Sequence, residues 1–242
     1  MSKNSIFITG IGNGIGRALA IHYANKGWSV AGLDPDEEAL AELREGLDGD
    51  LLLVEGDADK EAHVIDTADR LAEWLDGAPL TCLVNNAGIF DAGPIGDFSL
   101  GDYDRSMSVN VRAAFVAIQA ALGFLPDGGR IVSIGSNLAV RAPTPGLSLY
   151  TTSKAALTGL TLALARELGP RRITVNIVHP GSTDTDMNPA DGPYAADQKA
   201  LMANASGFAG PDEVAGLVAY LVSDAARSVT GAEWTIDNGA NV

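Results

Sequence analysis

A tyrosine and a lysine that can together move a proton stand four residues apart in the segment YTTSK, at Tyr150 and Lys154. The segment begins a stretch with helical apolar spacing, and residues at i and i+4 share one face of a helix, about 6 Å apart. A phenol with its ordinary pKa of about 10 is a poor base at neutral pH, and a nearby ammonium group favours the phenolate. The pair therefore predicts acid–base chemistry in which Lys154 lowers the pKa of Tyr150.

A glycine-rich turn near the amino terminus indicates a ligand that carries phosphate. Residues 9–16 read TGIGNGIG and lie between an apolar run, Ile6 to Thr9, and a helical pattern from Arg17 to Lys26. Glycines in such a turn let the backbone approach a pyrophosphate at the positive end of a helix. The spacing departs from the GxGxxG pattern, because Ile15 stands where that pattern needs its third glycine. A turn that binds nothing remains the alternative for this segment taken alone.

An aspartate at the end of the second predicted strand fits the same ligand. Asp34 follows the apolar run Trp28 to Leu33, 18 residues after Gly16, where a carboxylate can accept hydrogen bonds from adenosine ribose hydroxyls. No lysine or arginine lies beside it in the sequence, and a 2′-phosphate would meet it as a like charge. NAD is therefore favoured over NADP, and a simple Asp-Pro turn is the alternative reading of Asp34.

Apolar runs and helical patterns alternate along the whole chain. They predict seven strands separated by helices, with long helices from about Leu100 to Leu125 and from Tyr150 to Leu168. Strands that are continuously apolar indicate a parallel sheet covered by helices on both faces. The sequence thus predicts an α/β, doubly wound Rossmann fold with residues 1–242 as one domain. Residues 182–209, rich in Asp, Asn, Pro and Gly, form a candidate lid over the substrate.

Charge narrows the set of partners. The 242 residues are 46% hydrophobic and can bury one large core, while 31 Asp and Glu against 16 Lys and Arg give a net charge of −15. That charge would repel a nucleic-acid backbone or an anionic membrane surface, so we expect neither as a partner. Backbone N–H groups can still hold a dinucleotide without a basic patch.

Other features predict a soluble cytoplasmic protein without a metal site. Cys82 is the one cysteine and lies in an apolar run, so we expect a buried thiol and no intrachain disulfide. His22, His63 and His179 have no spacing suited to a metal and are expected on the surface or in packing. The longest apolar helical stretch, Ala113 to Leu125, is too short to span a membrane.

Six short motifs occur in a fixed order along the chain: TGIGNGIG, NNAG, Asn110, Ser136, YTTSK and PGSTDT. In this combination the sequence closely resembles the short-chain dehydrogenase/reductase family over essentially its whole length. The resemblance implies a catalytic tetrad at Asn110, Ser136, Tyr150 and Lys154. It also implies contacts to NAD(P) from Tyr150, Lys154 and these residues: Gly10, Asn13, Gly14, Ile15, Gly16, Asp34, Asp57, Ala58, Asn86, Ala87, Gly88, Pro180, Gly181, Thr183 and Thr185.

The resemblance assigns a role to each member of the tetrad. Tyr150 takes the proton of an alcohol while a hydride leaves the same carbon for the nicotinamide, and returns that proton in reduction. Ser136 holds the substrate oxygen, Lys154 also contacts the nicotinamide ribose, and Asn110 supports a proton relay through water. By the same similarity, Asp57 binds the adenine edge.

Two departures from the family pattern bear on these assignments. Gly135 replaces the first of two serines usual in the family, and the interval from Ser136 to Tyr150 is one residue longer than is typical, so Ser133 is a competing hydroxyl. Asn238 stands where the family usually has the first glycine of Asp-Gly-Gly, which is expected to alter the C-terminal turn.

The sequence therefore predicts an NAD-dependent alcohol dehydrogenase or carbonyl reductase. PGSTDTDM is similar to the segment in dihydrodiol-type dehydrogenases, so a cyclic alcohol, diol or polyol is a candidate substrate. A reductase of 3-oxoacyl thioesters, usually NADP-dependent, is the first alternative, and a non-catalytic nucleotide-sensing regulator is the second. The resemblance also implies a homotetramer or homodimer built through the two long helices and the C-terminal strand region.

Overall fold

Seven strands form one sheet in the computed structural model, which describes residues 4–204 and 206–242. Residues 1–3 of the predicted domain and Ala205 of the predicted lid lie outside the described residues. Every pair of neighbouring strands is parallel, in the order β3-β2-β1-β4-β5-β6-β7. The strands are β1 (Ser5–Thr9), β2 (Ser29–Asp34), β3 (Leu51–Glu55), β4 (Cys82–Asn85), β5 (Arg130–Ile134), β6 (Thr174–Pro180) and β7 (Glu233–Ile236).

Helices alternate with these strands and cover both faces of the sheet. They are α1 (Gly14–Asn25), α2 (Glu37–Gly46), α3 (Glu61–Leu75), α4 (Leu100–Met107), α5 (Ala113–Ala121), α6 (Ser148–Glu167), α7 (Ala195–Ala200) and α8 (Pro211–Val222). On β1, Ile6 and Ile8 join a buried cluster with α1 and α8, whereas Phe7 points the other way into a cluster with α3 and α5. This alternation produces two cores, and the predicted doubly wound Rossmann fold is confirmed.

The order of the strands defines where a ligand can bind. From β1 the chain proceeds outward through β2 and β3, then returns to place β4 on the other side of β1. The turns that follow β1 and β4 therefore leave the same edge of the sheet in opposite directions and open a crevice between them. This crevice contains both the glycine-rich turn and the NNAG turn.

The predicted helix from Leu100 to Leu125 is interrupted in the structure. A π-helical turn, Ser108–Arg112, separates α4 from α5, and α5 ends at Ala121. The earlier end follows from Gly123 and Pro126, which do not continue a helix, while Leu125 is buried in the core. Such π-turns are frequent at functional sites, and this one contains Asn110.

The C-terminal turn differs from the family pattern in a way that the structure explains. Asn238 has a left-handed backbone conformation with a φ of 54°. Glycine adopts this conformation without steric cost, and asparagine adopts it more readily than most other residues. Its side-chain amide donates to the carbonyl of Gly207 at 2.7 Å. The asparagine therefore keeps the turn that a glycine would make and ties the end of the candidate lid to it.

The part of the chain that the structure describes holds no helix long and apolar enough to cross a membrane. The same residues include no group of three or more His, Cys, Asp or Glu side chains placed to hold a metal ion. Cys82 is free and buried within β4, and burial raises the pKa of its thiol.

Candidate active site

The glycine-rich turn and the NNAG turn are locked together at the crevice. The hydroxyl oxygen of Thr9 accepts the N–H groups of Asn86 at 3.1 Å and Ala87 at 3.2 Å, and the Asn86 amide donates to the Gly10 carbonyl at 2.7 Å. Gly10 has a φ of 69°, and a Cβ there would lie 2.9 Å from the Ala87 Cα. Only glycine fits at this position, because both the backbone conformation and the close approach exclude a side chain.

The N-terminus of α1 opens into this crevice without a side-chain cap. Asn13 is the N-cap residue, yet its side chain makes no capping hydrogen bond and its amide instead lies 3.3 Å from Asp36. The first hydrogen bond within the helix runs from the Arg17 N–H to the Asn13 carbonyl. The backbone N–H groups of residues 14–16 therefore have no hydrogen-bond acceptor within the helix. A Cβ on Gly16 would lie 1.9 Å from the Gly10 carbonyl oxygen. This geometry suits a pyrophosphate held by backbone amides.

Asp34 lies at the end of β2 and faces the glycine-rich turn. One of its carboxylate oxygens accepts the Gly12 N–H at 2.7 Å, and the other accepts the Asp36 N–H at 3.0 Å. Asp34 therefore stabilises the Asp-Pro turn and also borders the crevice, and its contact with a ribose stays a prediction. Its buried carboxylate leaves further lone pairs for ribose hydroxyls.

The surroundings of Asp34 are acidic. Asp36 caps α2 by accepting the Ala39 N–H at 3.0 Å, as the sequence predicts, and the first turn of that helix also contains Glu37 and Glu38. The two nearest arginines along α1 and α2 are already paired, Arg17 with Glu42 at 3.1 Å and Arg44 with Glu37 at 3.7 Å. This end of the crevice would therefore repel an additional phosphate.

Tyr150 and Lys154 extend from the first turns of α6 to the same side of the crevice. The Lys154 Nζ lies 5.9 Å from the centroid of the Tyr150 ring and donates to the Ile134 carbonyl at 3.1 Å. The Tyr150 ring packs edge-on against Phe90, with 4.8 Å between ring centroids. The prediction that Tyr150 and Lys154 share one face of a helix is confirmed. The contact between Tyr150 and Phe90 was not predicted from the sequence.

The electrostatics of the pair differ from the sequence prediction. Burial raises the pKa of Tyr150 to about 12, and the smaller opposing effect on that pKa is a hydrogen bond with the Ser136 hydroxyl. Burial also lowers the pKa of Lys154 to about 8. The expectation of a lowered Tyr150 pKa is wrong for the protein alone, because burial outweighs any effect of the lysine charge on that pKa. Lys154 itself remains mostly charged below a pH of about 8.

Ser136, rather than Ser133, is the hydroxyl beside Tyr150. The Ser136 Oγ accepts the Leu138 N–H at 3.1 Å and lies beside Tyr150, where it opposes the rise in the pKa of the phenol. Ser133 lies within β5, where its hydroxyl accepts from the side-chain amide of Asn85 at 3.3 Å. The structure therefore removes the ambiguity caused by the longer interval between Ser136 and Tyr150.

Asn110 lies close to the lysine through contacts made by the π-turn. Its amide oxygen accepts the Ile89 N–H at 2.8 Å, and its amide nitrogen donates to the Ile89 carbonyl at 3.0 Å and to Ser153 Oγ at 2.9 Å. A Cβ on Gly88 would lie 3.0 Å from Lys154 Nζ and 3.2 Å from Asn110 Oδ1. Ser153 is absent from the sequence prediction, although its position three residues after Tyr150 on the same helix face is a usable signal.

The remaining predicted contacts lie along the same edge of the sheet. The Asp57 N–H donates to His63 Nδ1 at 2.9 Å in the turn after β3, next to the buried Ala58, so His63 fixes the conformation of this turn. Pro180 ends β6, and the N–H of Gly181 donates to the Ile236 carbonyl at 2.9 Å.

The start of the candidate lid lies against the glycine-rich turn. The Thr183 hydroxyl donates to the Gly181 carbonyl at 3.2 Å. A Cβ on Gly14, whose φ is 52°, would lie 3.1 Å from the Thr185 methyl group. The turns after β1, β3, β4, β5 and β6 thus all lie at the carboxyl edge of the parallel sheet.

The crevice fits a nicotinamide dinucleotide. An uncapped helix N-terminus and glycines with no room for a Cβ accommodate the pyrophosphate, and Asp34 offers acceptors for a ribose. The buried Lys154 has one hydrogen-bond partner among residues 4–204 and 206–242 and keeps donors for a ligand. Beside it, Tyr150 and Ser136 present two adjacent hydroxyl groups that can hold one substrate oxygen.

Comparison with known proteins agrees with this geometry. A family model described as enoyl-(acyl carrier protein) reductase matches residues 10–241. A short chain dehydrogenase from Burkholderia cenocepacia J2315, solved in complex with NADP, is 48% identical and superposes with a TM-score of 0.92 over 99% of this chain and 98% of its own. Complexes with NADPH also occur among the solved relatives. The chain therefore belongs to the short-chain dehydrogenase/reductase family, whose members are Rossmann-fold oxidoreductases.

Two curated relatives carry different functional names. The cyclic-di-GMP-binding biofilm dispersal mediator protein of Escherichia coli K12 is 38% identical over 96% of this chain and 95% of its own length. The D-threitol dehydrogenase of Mycolicibacterium smegmatis is 33% identical over 97% of this chain and 92% of its own. Membership of the family therefore leaves the substrate open.

Proposed function

We propose that the protein is an NAD-dependent oxidoreductase that interconverts a secondary alcohol and a ketone, with Tyr150 as general acid and base. The observation that carries the proposal is the Tyr150 hydroxyl, which lies beside the Ser136 hydroxyl and on the same helix face as the buried Lys154 amine. Screening NAD+ reduction across secondary alcohols, sugars, polyols and cyclic diols tests it. An absence of turnover across that panel, and of ketone reduction with NADH, would overturn it.

The protonated phenol suits reduction directly, whereas oxidation needs the phenolate. At neutral pH the phenol is protonated, so Tyr150 can donate its proton to a ketone oxygen that Ser136 also holds. In oxidation Tyr150 removes the alcohol proton, and Lys154 is mostly charged below a pH of about 8 and can then favour the phenolate. Asn110 fixes the Ile89 backbone and Ser153 next to this pair. The bound nicotinamide accepts or supplies the hydride.

Two observations point to different forms of the coenzyme. Asp34, Asp36 and the acidic first turn of α2 favour a free 2′-hydroxyl and hence NAD. The NADP and NADPH complexes of the solved relatives favour the phosphorylated form. We propose NAD, because a 2′-phosphate on a ribose bound by Asp34 would meet the like charges of Asp34, Asp36 and the first turn of α2.

Replacing Asp34 by Asn is expected to shift the preference toward NADPH by about 10-fold, because the change removes one negative charge. The amide oxygen of Asn can still accept the Gly12 N–H, but its NH2 group cannot accept the Asp36 N–H, so the melting temperature of D34N is compared with that of the wild type. The measurement is kcat/KM for NADH and NADPH, with exposed Asp48→Asn as the charge-matched control. A wild-type preference for NADPH that D34N leaves unchanged would show that this carboxylate does not select the coenzyme.

The charge of the candidate lid favours an uncharged substrate. Within 182–209 there are four aspartates and one lysine, on a chain with a net charge of −15. Acyl thioesters are delivered on phosphate-bearing carriers, which this surface would repel.

The match to the enoyl-(acyl carrier protein) reductase family model nevertheless keeps an acyl thioester as the second candidate substrate. The D-threitol dehydrogenase relative supports a polyol. Turnover of acyl thioesters with NADPH in preference to polyols and diols with NADH would favour the alternative.

A nucleotide-sensing regulator is the candidate of another class, supported by the name of the Escherichia coli relative. Both Tyr150 and Lys154 are present and face one crevice, which such a regulator does not need. Saturable binding of cyclic di-GMP with no turnover on the substrate panel would favour this alternative.

We further propose that residues 1–242 act as one domain with 182–209 as its lid, in a homotetramer or homodimer. Exposed apolar side chains on the long helices support a second copy as the partner: Leu100, Tyr103, Phe115 and Leu162. Sedimentation equilibrium tests the oligomer. The cytoplasmic location expected from the sequence stays a prediction.

A further inference from the structure

His179 is a buried histidine that the mechanism above does not use. It lies on β6, between β5 and β7, and its side chain has no exposed surface. Its Nδ1 accepts the N–H of Ser136 at 3.2 Å, and its Nε2 lies 3.1 Å from a carboxylate oxygen of Glu233 on β7. One partner of the ring is therefore the backbone of the residue whose hydroxyl contacts Tyr150.

These two hydrogen bonds determine the tautomer of the ring. A backbone N–H can only donate, so Nδ1 must be an unprotonated acceptor. A carboxylate accepts, so Nε2 carries the proton and donates it to Glu233. Glu233 is half-exposed, yet it fixes the orientation of an imidazole that is wholly inside the protein.

Gly135 shows how closely the ring is packed against the Ser136 turn. A Cβ at this position would lie 2.5 Å from His179 Nδ1 and 2.8 Å from its Cε1, inside van der Waals contact. Gly135 is not among the glycines with positive φ, so its backbone conformation does not itself require glycine. The absence of a side chain at 135 therefore makes room for the imidazole, which explains the departure from the usual serine.

Ser136 is held from two sides as a result. Its hydroxyl accepts the Leu138 N–H at 3.1 Å, and its own N–H is fixed by His179. The backbone at Ser136 is extended, with a φ of −165°, and its carbonyl accepts the Ala139 N–H at 2.9 Å, so the His179 contact is the one that holds its own N–H. Removing the acceptor would leave a buried N–H without a partner and allow the turn to move.

We propose that His179, oriented by Glu233, is a positioning residue that holds the Ser136 backbone so that the Ser136 hydroxyl meets Tyr150 and the substrate oxygen. The kinetic consequence rests on the proposed function of Ser136. A displacement of about 1 Å in such a group can cost on the order of 100-fold in rate. His179 is not among the residues predicted to contact the coenzyme, so we expect the KM for NADH to stay close to wild type.

The test compares His179→Asn with His179→Leu. Asparagine can place its amide oxygen near the position of Nδ1, whereas leucine has a similar volume and no acceptor. We expect H179L to lower kcat by about 10-fold or more and H179N to retain most of it, with KM for NADH within about 2-fold in both. Should H179L not fold, Glu233→Ala removes the orienting carboxylate from a half-exposed position and should lower kcat by about 3-fold at constant KM for NADH.

A double-mutant cycle tests the packing against Gly135. Gly135→Ala should lower kcat because its methyl group displaces the ring. In a His179→Ala background the same methyl group has room, so the two effects should be less than additive. Fully additive effects would overturn the proposed contact.

The tautomer provides a readout that needs no substrate. ¹⁵N spectra of histidine-labelled protein should show His179 with a bare Nδ1 and a protonated Nε2, and the reverse tautomer would overturn the inference. A folded H179L enzyme with wild-type kcat would overturn this inference alone. A wild-type protein that turns over nothing would overturn the proposed function together with the kinetic role of His179.

Discussion

Replacing Tyr150 by Phe is expected to lower kcat/KM in both directions by about 10³-fold, the size of a typical acid–base contribution. The substitution removes only the hydroxyl. The ring keeps its edge-on contact with Phe90, and the Ser136 hydroxyl keeps the Leu138 N–H as a partner. The binding constant for NADH and the melting temperature should therefore remain close to wild type, so that the loss is assigned to the proton-transfer step. The measurement is steady-state kinetics on a substrate identified by the panel.

Tyr103→Phe is the matched control for that experiment. Tyr103 lies on α4 with its ring partly exposed, and losing its hydroxyl should leave turnover unchanged. Near-full activity of Y150F would reject the proposed mechanism whatever the substrate proves to be.

Replacing Lys154 by Met is expected to lower kcat/KM by about 10²-fold while raising the free energy of unfolding at pH 7. The activity falls because the crevice loses its buried cation and the donors for a ligand. The stability rises because the folded protein no longer carries a charge that burial disfavours. Burial lowers the pKa of Lys154 from 10.5 to about 8, which corresponds to about 3 kcal/mol as an upper estimate. The Ile134 carbonyl loses its donor, which offsets about 1 kcal/mol of that gain.

The dependence on pH follows from the sign of this shift. Between pH 8 and 10.5 the unfolded chain binds more protons at Lys154 than the folded protein does, so the stability of the wild type rises with pH across this window. The free-energy cost of burying the charged Lys154 amine is fully present below a pH of about 8. The gain in free energy of unfolding of K154M over the wild type should therefore shrink between pH 7 and pH 9.5. Chemical denaturation at both values measures it, with exposed Lys26→Met as the control. A K154M protein that is less stable at pH 7 and as active as wild type would contradict both expectations.

Local features of the site were predictable because they depend on neighbours in the chain. The shared face of Tyr150 and Lys154 follows from helical geometry once YTTSK is placed in a helix. The strands were predictable since a parallel sheet covered on both faces leaves continuous apolar runs in the sequence. The end of the long helix was missed because Leu125 is apolar yet packs in the core beyond Gly123.

Contacts between distant segments were not predictable from spacing. Asn110 meets Ser153, and Ser136 meets His179, each across 43 residues of chain. The spacing from Tyr150 puts Ser153 on the helix face of the site but does not reveal its partner, and nothing in the sequence marks His179. The choice between Ser133 and Ser136 also depended on which hydroxyl faces α6.

The amino-acid sequence by itself determined the order of strands and helices, the glycine-rich turn, the family resemblance and the residue types that could exchange a proton. Only the tertiary structure decided how those groups ionise and what holds them. Desolvation depends on the atoms that enclose a group, and burial, rather than spacing, raises the pKa of Tyr150 and lowers that of Lys154. For the same reason Gly135 is explained only by the imidazole of His179, which a different strand places against it.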